Sequence, residues 1–239
     1  MRSALAATAA VVGGLLFGAA GFAIRDNSGT QAALPPTQSV TPSAARSGSP
    51  APSGPSTPPR IPQSGEGTYQ RAGGSAPRVG TGKVLRYQVE VERGIDEDPA
   101  KFAEWVDKIL ADPGGWTARN RWAFQRPRAG SVDFVVRLAT PDTVDKVCGS
   151  YGLDTGGEVS CRGGPNVMIN LKRWQLAIPS YNGDTDTYRH LVVNHEVGHF
   201  LGHKHVDCPG KGKPAPVMQT QIYGMNGCVP NGWPYPDLH

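Results

Sequence analysis

Ten of the 22 prolines in this 239-residue chain fall between residues 26 and 82, and this clustering limits where a compact core can form. The stretch is also rich in glycine, serine and threonine and has few large apolar side chains. It therefore offers little surface whose burial would offset the entropy lost on ordering. We predict a disordered linker over 26–82 and one folded domain over 83–239, which is long enough for a core of ordinary size.

The positive charge of the chain lies outside the predicted domain. The formal net charge is +4, and residues 1–82 contain six arginines but only Asp26 and Glu66 as acidic residues. Residues 83–239 are therefore formally neutral, whereas a nucleic-acid-binding domain normally carries a basic surplus. We expect no nucleic-acid partner, a monomeric protein, and membrane contact only through residues 4–24.

The N-terminal segment 1–25 has the character of an export or anchoring sequence. An uncharged run from Ala4 to Ile24 follows Arg2 and is long enough, at about 1.5 Å per residue, to cross a hydrocarbon core of about 30 Å. Small residues such as Ala20 and Ala23 would equally suit a signal peptidase. An uncleaved membrane anchor and a cleaved signal peptide both stay open. Either one places the domain outside the cytoplasm, membrane-anchored or secreted, because the positive flank stays inside.

The four cysteines agree with export. All of them lie in the predicted domain, and an even number in an oxidising compartment predicts two disulfide bonds. Three pairings are open, and we favour the sequential one because it closes two short, glycine-containing loops. No CxxC spacing occurs, which disfavours a cysteine zinc site. The favoured pairs are Cys148–Cys161 and Cys208–Cys228.

Hydrophobic periodicity predicts an α+β fold with a small mixed sheet and a loop-rich C-terminal part. Alternating apolar residues indicate strands, and apolar stripes bounded by capping residues, proline or glycine indicate helices. The predicted order is strand 85–91, helix 99–110, strand 132–138, short helix 141–147, strand 166–174 and a long helix 185–201. The strand 166–174 is a candidate free edge along which a peptide adds as an extra strand; the alternative is a plain structural strand.

The chemistry concentrates in the segment HEVGHFLGHKH, which runs from His195 to His205. On the predicted helix, His195 and His199 are four residues apart and therefore lie on one face. Val197 lies on the opposite side, so the apolar stripe anchors the helix in the core while both imidazoles face a cleft. Glu196, beside the first histidine, is placed to reach a water molecule at the same site.

A third metal ligand requires the helix to end. His203 would lie about 12 Å along the axis from His195 in an unbroken helix, too far to share an ion whose bonds to nitrogen are about 2.0–2.1 Å. Gly202 is where the chain can turn, because glycine enters the left-handed region without a Cβ clash. We therefore predict that Gly202 forms a helix-breaking turn, that His205 is the third ligand, and that His203 points to solvent.

The complete pattern, HExxHxxGxxH, resembles the metzincin clan of zinc peptidases. More closely, VNHEVGHFLGHKHVDCPG followed by APVMQTQ is similar to a family of exported actinobacterial proteins with a metzincin-like domain, a likeness that covers most of 83–239. The resemblance implies a metzincin-like fold with an active-site helix and one zinc ion per chain, bound by His195, His199 and His205. It also implies a methionine turn at Met218 beneath the metal.

The same resemblance implies a mechanism. Zinc would acidify a water molecule and polarise the substrate carbonyl, and Glu196 would act as general base and then general acid. Some metzincins place a tyrosine two residues after the turn methionine, where it stabilises the oxyanion, but this sequence has Thr220 there. Tyr223 is the nearest phenol and a candidate for that role; the alternative is a packing or surface tyrosine.

The expected function is zinc-dependent endopeptidase activity on peptide or protein substrates outside the cytoplasm. Two alternatives stay open at this point. One is a non-catalytic extracytoplasmic module whose zinc site only stabilises the loop-rich tail, and the other is a zinc hydrolase that acts on cell-wall peptides. Glu196 favours catalysis over the first alternative, because a structural site has no use for a carboxylate beside its first ligand.

Overall fold

The ten-residue strand β3 (Lys83–Glu92) lies at the centre of the sheet in the computed structural model, which describes residues 60–239. Along β3 the side chains of Leu85, Tyr87 and Val89 are buried, and those between them are partly exposed. This alternation confirms the half-buried strand that the sequence predicts. Both long edges of β3 are paired, so it connects the two halves of the sheet.

Seven strands form one mixed sheet. They are β1 (Tyr69–Arg71), β2 (Ala76–Val79), β3, β4 (Trp122–Arg126), β5 (Phe134–Ala139), β6 (Cys161–Gly163) and β7 (Asn166–Asn170). The order is β2-β4-β3-β5-β7-β6, with β1 beside the second half of β3. The four central strands β4, β3, β5 and β7 are parallel, and the short strands β1, β2 and β6 pair antiparallel at the margins.

Four helices cover the sheet: α1 (Pro99–Ala111), α2 (Pro141–Gly149), α3 (Leu171–Leu176) and α4 (Thr185–Phe200). The main core joins α1, α3 and α4 to one face of the sheet, where Val167 and Ile169 of β7 are buried. The residue between them, Met168, belongs to a smaller cluster with Val144 of α2. Successive residues of a strand point to opposite faces, so α2 packs on the other side. This arrangement confirms the α+β class.

The described C-terminal part after α4 is loop-rich, as predicted. Its only regular elements are two single 3₁₀ turns, Gln221–Tyr223 and Pro236–Leu238. Cys208 pairs with Cys228 in this part, and Cys148 pairs with Cys161 in the α2 to β6 region. The favoured sequential pairing is thereby confirmed. Two disulfides are typical of a protein that folds outside the reducing cytoplasm.

The folded part begins earlier than the predicted boundary at residue 83. Strands β1 and β2 lie within the last part of the predicted linker 26–82 and pair with β3 and β4. Farther back, the main-chain N–H of Gly67 donates to the buried carboxylate of Glu92 at 2.8 Å. The prediction for 60–82 was wrong because main-chain pairing and one carboxylate hold this segment, and its few apolar residues, such as Ala72 and Val79, still reach the main core.

Residues 1–59 lie outside the described part, so the predictions for the segment 1–25 and for 26–59 stay predictions. Between residues 60 and 239, no helix combines the length and the apolar character that a membrane crossing requires.

The predicted strand 166–174 is wrong in its second half and in its place in the sheet. The side chain of Asn170 accepts a hydrogen bond from the N–H of Lys172 at 2.9 Å, and this cap starts α3 at Leu171. Strand β7 also lies between β5 and β6, so it is an inner strand. The sheet margin beside α4 is β6 and not the segment 166–174.

Candidate metal centre

Helix α4 brings His195, Glu196 and His199 into one cleft. The helix starts where the side chain of Asp184 accepts a hydrogen bond from the N–H of Thr187 at 3.0 Å. Val193 and Val197 are fully buried in the main core, on the side that the sequence predicts. The helix is thus anchored by its apolar side, and the two histidines four residues apart face away from it.

The chain turns at Gly202 and returns His205 to the helix. Gly202 has a φ of +93°, and the N–H of His203 donates to the carbonyl of Gly198 at 2.9 Å, as in helix ends that close on glycine. Beyond the turn, Nε2 of His205 lies 3.0 Å from Nε2 of His199, which in turn lies 3.1 Å from Nε2 of His195. The structure therefore brings the three predicted ligands together.

Two of these rings have their proton positions fixed by main-chain carbonyls. Nδ1 of His195 lies 2.7 Å from the carbonyl oxygen of Val217, and Nδ1 of His199 lies 3.0 Å from that of His203. A carbonyl only accepts, so each Nδ1 donates and each neutral ring carries a lone pair on Nε2. Burial lowers the pKa of His195 to about 3, which keeps this ring neutral.

The two lone pairs face each other across 3.1 Å, and no hydrogen bond can join them in this tautomer. A metal ion satisfies both, and His205 supplies a third nitrogen to the same point. Tetrahedral bonds of about 2.0–2.1 Å would place neighbouring nitrogens about 3.3 Å apart, close to the spacing of these atoms. The three histidines can therefore hold a metal ion.

His203 takes no part in this group. Its ring stacks on Trp116 with 4.5 Å between centroids and is half-buried, so the prediction that it points to solvent was wrong. Trp116 is in turn fixed by a hydrogen bond from its Nε1 to the carbonyl of Asn194 at 2.9 Å. His203 contributes to the site through its main-chain carbonyl, which accepts a hydrogen bond from Nδ1 of His199.

Met218, the residue of the predicted methionine turn, lies buried against α4. Its sulfur packs on Gly198, where a Cβ would overlap both Met218 and Trp116. The carbonyl of Met218 accepts a hydrogen bond from the N–H of Val206 at 3.2 Å, and the carbonyl of Val217 holds His195. This turn therefore supports His195 and the chain just beyond His205.

Glu196 is the one carboxylate that α4 contributes to the cleft. Its side chain is 5% exposed, and burial alone raises its pKa to about 8. A divalent cation nearby would favour the charged form and lower that pKa again. Glu196 is thus a buried, titratable carboxylate in the same cleft as the three histidines.

The cleft has a volume of about 410 Å³, two walls and a floor. The stretch from Leu153 through β6 forms one wall, the segment 219–223 forms the other, and α4 forms the floor. Tyr223 lines the rim with its side chain 78% exposed, and Thr220 lines the same wall. Nothing in this geometry directs the phenol of Tyr223 at the histidines.

The apolar floor of the cleft and one charged residue in its wall were not predicted from the sequence. Tyr188, Leu191 and Val192 form the floor. Tyr188 precedes His195 by seven residues, so the two share a helical face, and this spacing is a signal that could have identified the floor. The charged residue is Arg162 of β6, which no motif marks.

Together the fold and the site define an α+β protein with a three-histidine centre that can hold a metal ion. The chain belongs to the family described as Protein of unknown function (DUF3152), which matches residues 55–228. The match begins well before residue 83, in agreement with the early start of the sheet. No curated protein and no solved structure matches the chain.

Proposed function

We propose that this protein is an exported zinc endopeptidase, membrane-anchored or secreted, with zinc held by His195, His199 and His205. The observation that carries the proposal is the convergence of three Nε2 atoms, two of them unprotonated and 3.1 Å apart, in a cleft that also contains Glu196. The resemblance of HExxHxxGxxH to the metzincin clan supports the same reading, as does the buried position of Met218 against Gly198.

Zinc is the ion that suits these donors best. Neutral imidazoles at tetrahedral spacing are typical zinc ligands, whereas calcium and magnesium prefer oxygen. Three protein ligands leave a fourth position for water or substrate, while a structural site is normally closed by a fourth side chain. The open cleft beside the histidines therefore supports a catalytic centre over a purely structural one.

Different residues of this chain have different roles in hydrolysis. A zinc ion bound by the histidines would supply Lewis acidity, which polarises a carbonyl and acidifies water. Glu196 accepts a proton from the attacking water molecule while the oxygen of that water bonds to the carbonyl carbon of the substrate. The C–N bond then breaks, and Glu196 delivers that proton to the leaving amine. The carbonyls of Val217 and His203 keep two ligand rings in the required tautomer.

The sheet margin offers a place for an extended peptide. Strand β6 is the last strand on its side of the sheet and lines the cleft through Cys161 and Arg162. A substrate that adds along this margin would use main-chain hydrogen bonds for affinity and the cleft for side-chain selection. Such binding places a peptide bond next to the histidines.

The test combines metal analysis with cleavage of a peptide library by the purified full chain. We expect one zinc per chain and cleavage that a chelator abolishes and added zinc restores. Glu196→Gln should keep the zinc but reduce hydrolysis by about 10²- to 10⁴-fold, the usual contribution of a general base. Glu104→Gln, on the exposed side of α1, is the matched control and should cleave like the unaltered chain.

Two outcomes would contradict the proposal. Undiminished hydrolysis by Glu196→Gln would remove this residue from the mechanism. Zinc that binds and raises the unfolding temperature of a chain that cleaves no peptide would indicate the non-catalytic module instead.

A further inference from the structure

Arg162 is a half-buried cation in the wall of the cleft, and no oxygen atom of the described residues accepts a hydrogen bond from its side chain. It lies in β6, and its guanidinium carbon is 5.7 Å above the ring of Phe200. Its Nε is buried without a hydrogen-bond partner. Burying an N–H group of a charged side chain without an acceptor is unfavourable, so the position calls for an explanation.

The other arginines in residues 60–239 that are not fully exposed all have oxygen partners. Arg126 pairs with Asp107 at 2.7 Å and Arg137 with Glu90 at 2.7 Å. Arg86, Arg173 and Arg189 also donate to carbonyl or carboxylate oxygens. Arg162 differs from this pattern, and it is the one that lines the cleft of the histidines.

No carboxylate of the cleft neutralises Arg162. Asp154 lines the same cleft, but its carboxylate is exposed and accepts a hydrogen bond from the N–H of Gly156 at 2.9 Å. Glu196 makes no ion pair with Arg162. Arg162 lines the cleft together with His195, His199 and His205, so its charge lies in the same cleft as the histidine centre.

We propose that Arg162 binds a carboxylate of the substrate, so that the cleft selects peptides with a carboxylate close to the bond that is cut. A guanidinium presents paired N–H groups that match both oxygens of a carboxylate. A peptide along β6 passes this side chain next to the histidines. The carboxylate is either an acidic side chain or a free C-terminus. This inference rests on the proposed peptidase function and adds the class of substrate.

Binding of matched probes tests the inference independently of cleavage. The protein is the full chain with Glu196→Gln, which prevents turnover, studied with and without zinc by calorimetry. One probe pair is acetyl-Leu-Glu-Leu-amide and acetyl-Leu-Gln-Leu-amide, which tests the acidic side chain. The other is acetyl-Leu-Leu-Leu as the free acid and as the amide, which tests the C-terminus.

We expect at least one acid probe to bind about 10- to 100-fold more tightly than its amide partner, the contribution of hydrogen bonds between charged groups. Adding Arg162→Gln should reduce this ratio to about 1, whereas Arg128→Gln, an exposed arginine outside the cleft, should preserve it. Arg162→Lys keeps the charge but loses the paired N–H groups, and should give an intermediate ratio.

Several results would overturn the inference. One such result is a ratio of amide to acid Kd near 1 for both probe pairs in the chain that keeps Arg162. Another is that no probe binds measurably. A ratio that survives Arg162→Gln would mean that the metal binds the carboxylate. Equal weakening of acid and amide probes would assign Arg162 a positioning role. Failure of the proposed function appears separately, as an absence of cleavage by the unaltered chain.

Discussion

Replacing Gly202 with alanine tests whether the turn after α4 is what delivers the third histidine. Gly202 has a φ of +93°, and a Cβ at this position would meet no atom within 4 Å. The substitution therefore adds backbone strain without a steric clash against a neighbour. For a residue other than glycine, left-handed backbone costs about 1–2 kcal/mol.

The strain lowers either the free energy of unfolding of the metal-free chain or the affinity for zinc, and both can be measured. If the metal-free turn keeps its shape, the free energy of unfolding of the metal-free chain falls by about 1–2 kcal/mol. If the turn relaxes and carries His205 away, zinc binding must restore it, and the zinc Kd rises by about 5- to 30-fold. In both cases the free energy of unfolding of the zinc-loaded variant is lower than that of the zinc-loaded parent by the same strain energy, about 1–2 kcal/mol.

Gly183 provides a matched control. Its φ is +85°, it also has nothing within 4 Å of a Cβ, and it lies just before the cap of α4 rather than at the histidines. Gly183→Ala should lose the same free energy of unfolding but keep its zinc Kd. Urea unfolding with zinc and with chelator, together with competition against a chromophoric chelator, measures both quantities.

A zinc-loaded Gly202→Ala chain as stable as its parent would refute the reasoning about the turn. Equal weakening of zinc binding by Gly183→Ala would refute it as well, because the effect would then not depend on where the strain lies.

Two further predictions concern the ligands and the start of the fold. His205→Ala should raise the zinc Kd by more than about 100-fold, beyond the usual effect of a group outside the coordination sphere. His203→Ala should have little effect because its carbonyl, which holds His199, is retained; equal effects in a zinc titration would contradict this. Glu92→Gln should lower the free energy of unfolding in urea by about 2–4 kcal/mol, since the carboxylate accepts hydrogen bonds from Gly67, Thr140 and Thr143. An unchanged urea midpoint would show that Glu92 does not fasten the segment before β1.

The geometry of the histidine site was largely predictable, because helical periodicity and the conformational freedom of glycine are local properties. The spacing of His195 and His199 and the turn at Gly202 follow from them directly. The carbonyls of Val217 and His203 were not predictable, since every residue has a carbonyl and only the fold decides which one faces an imidazole. Arg162 was not predicted for a similar reason: its significance lies in the lack of a hydrogen-bond acceptor, which only the fold reveals.

The errors in the fold also have physical causes. Strand β4 buries the consecutive residues Ala123 and Phe124, so it lacks the alternation by which strands are recognised. In the predicted strand 166–174, the apolar Leu171 continues the pattern of β7, yet Asn170 caps a helix at that point. The segment before residue 83 is held by main-chain pairing, which composition does not reveal.

The carbonyl of Val217 has a consequence for any attempt to isolate this centre. An excised peptide spanning 195–205 would contain every nitrogen donor yet lack the acceptor, 22 residues after His195, that orients the first of them. It would also lack the sulfur that rests on Gly198. We therefore expect tight uptake of an ion only by the finished tertiary structure, where it would serve as a reporter of correct folding.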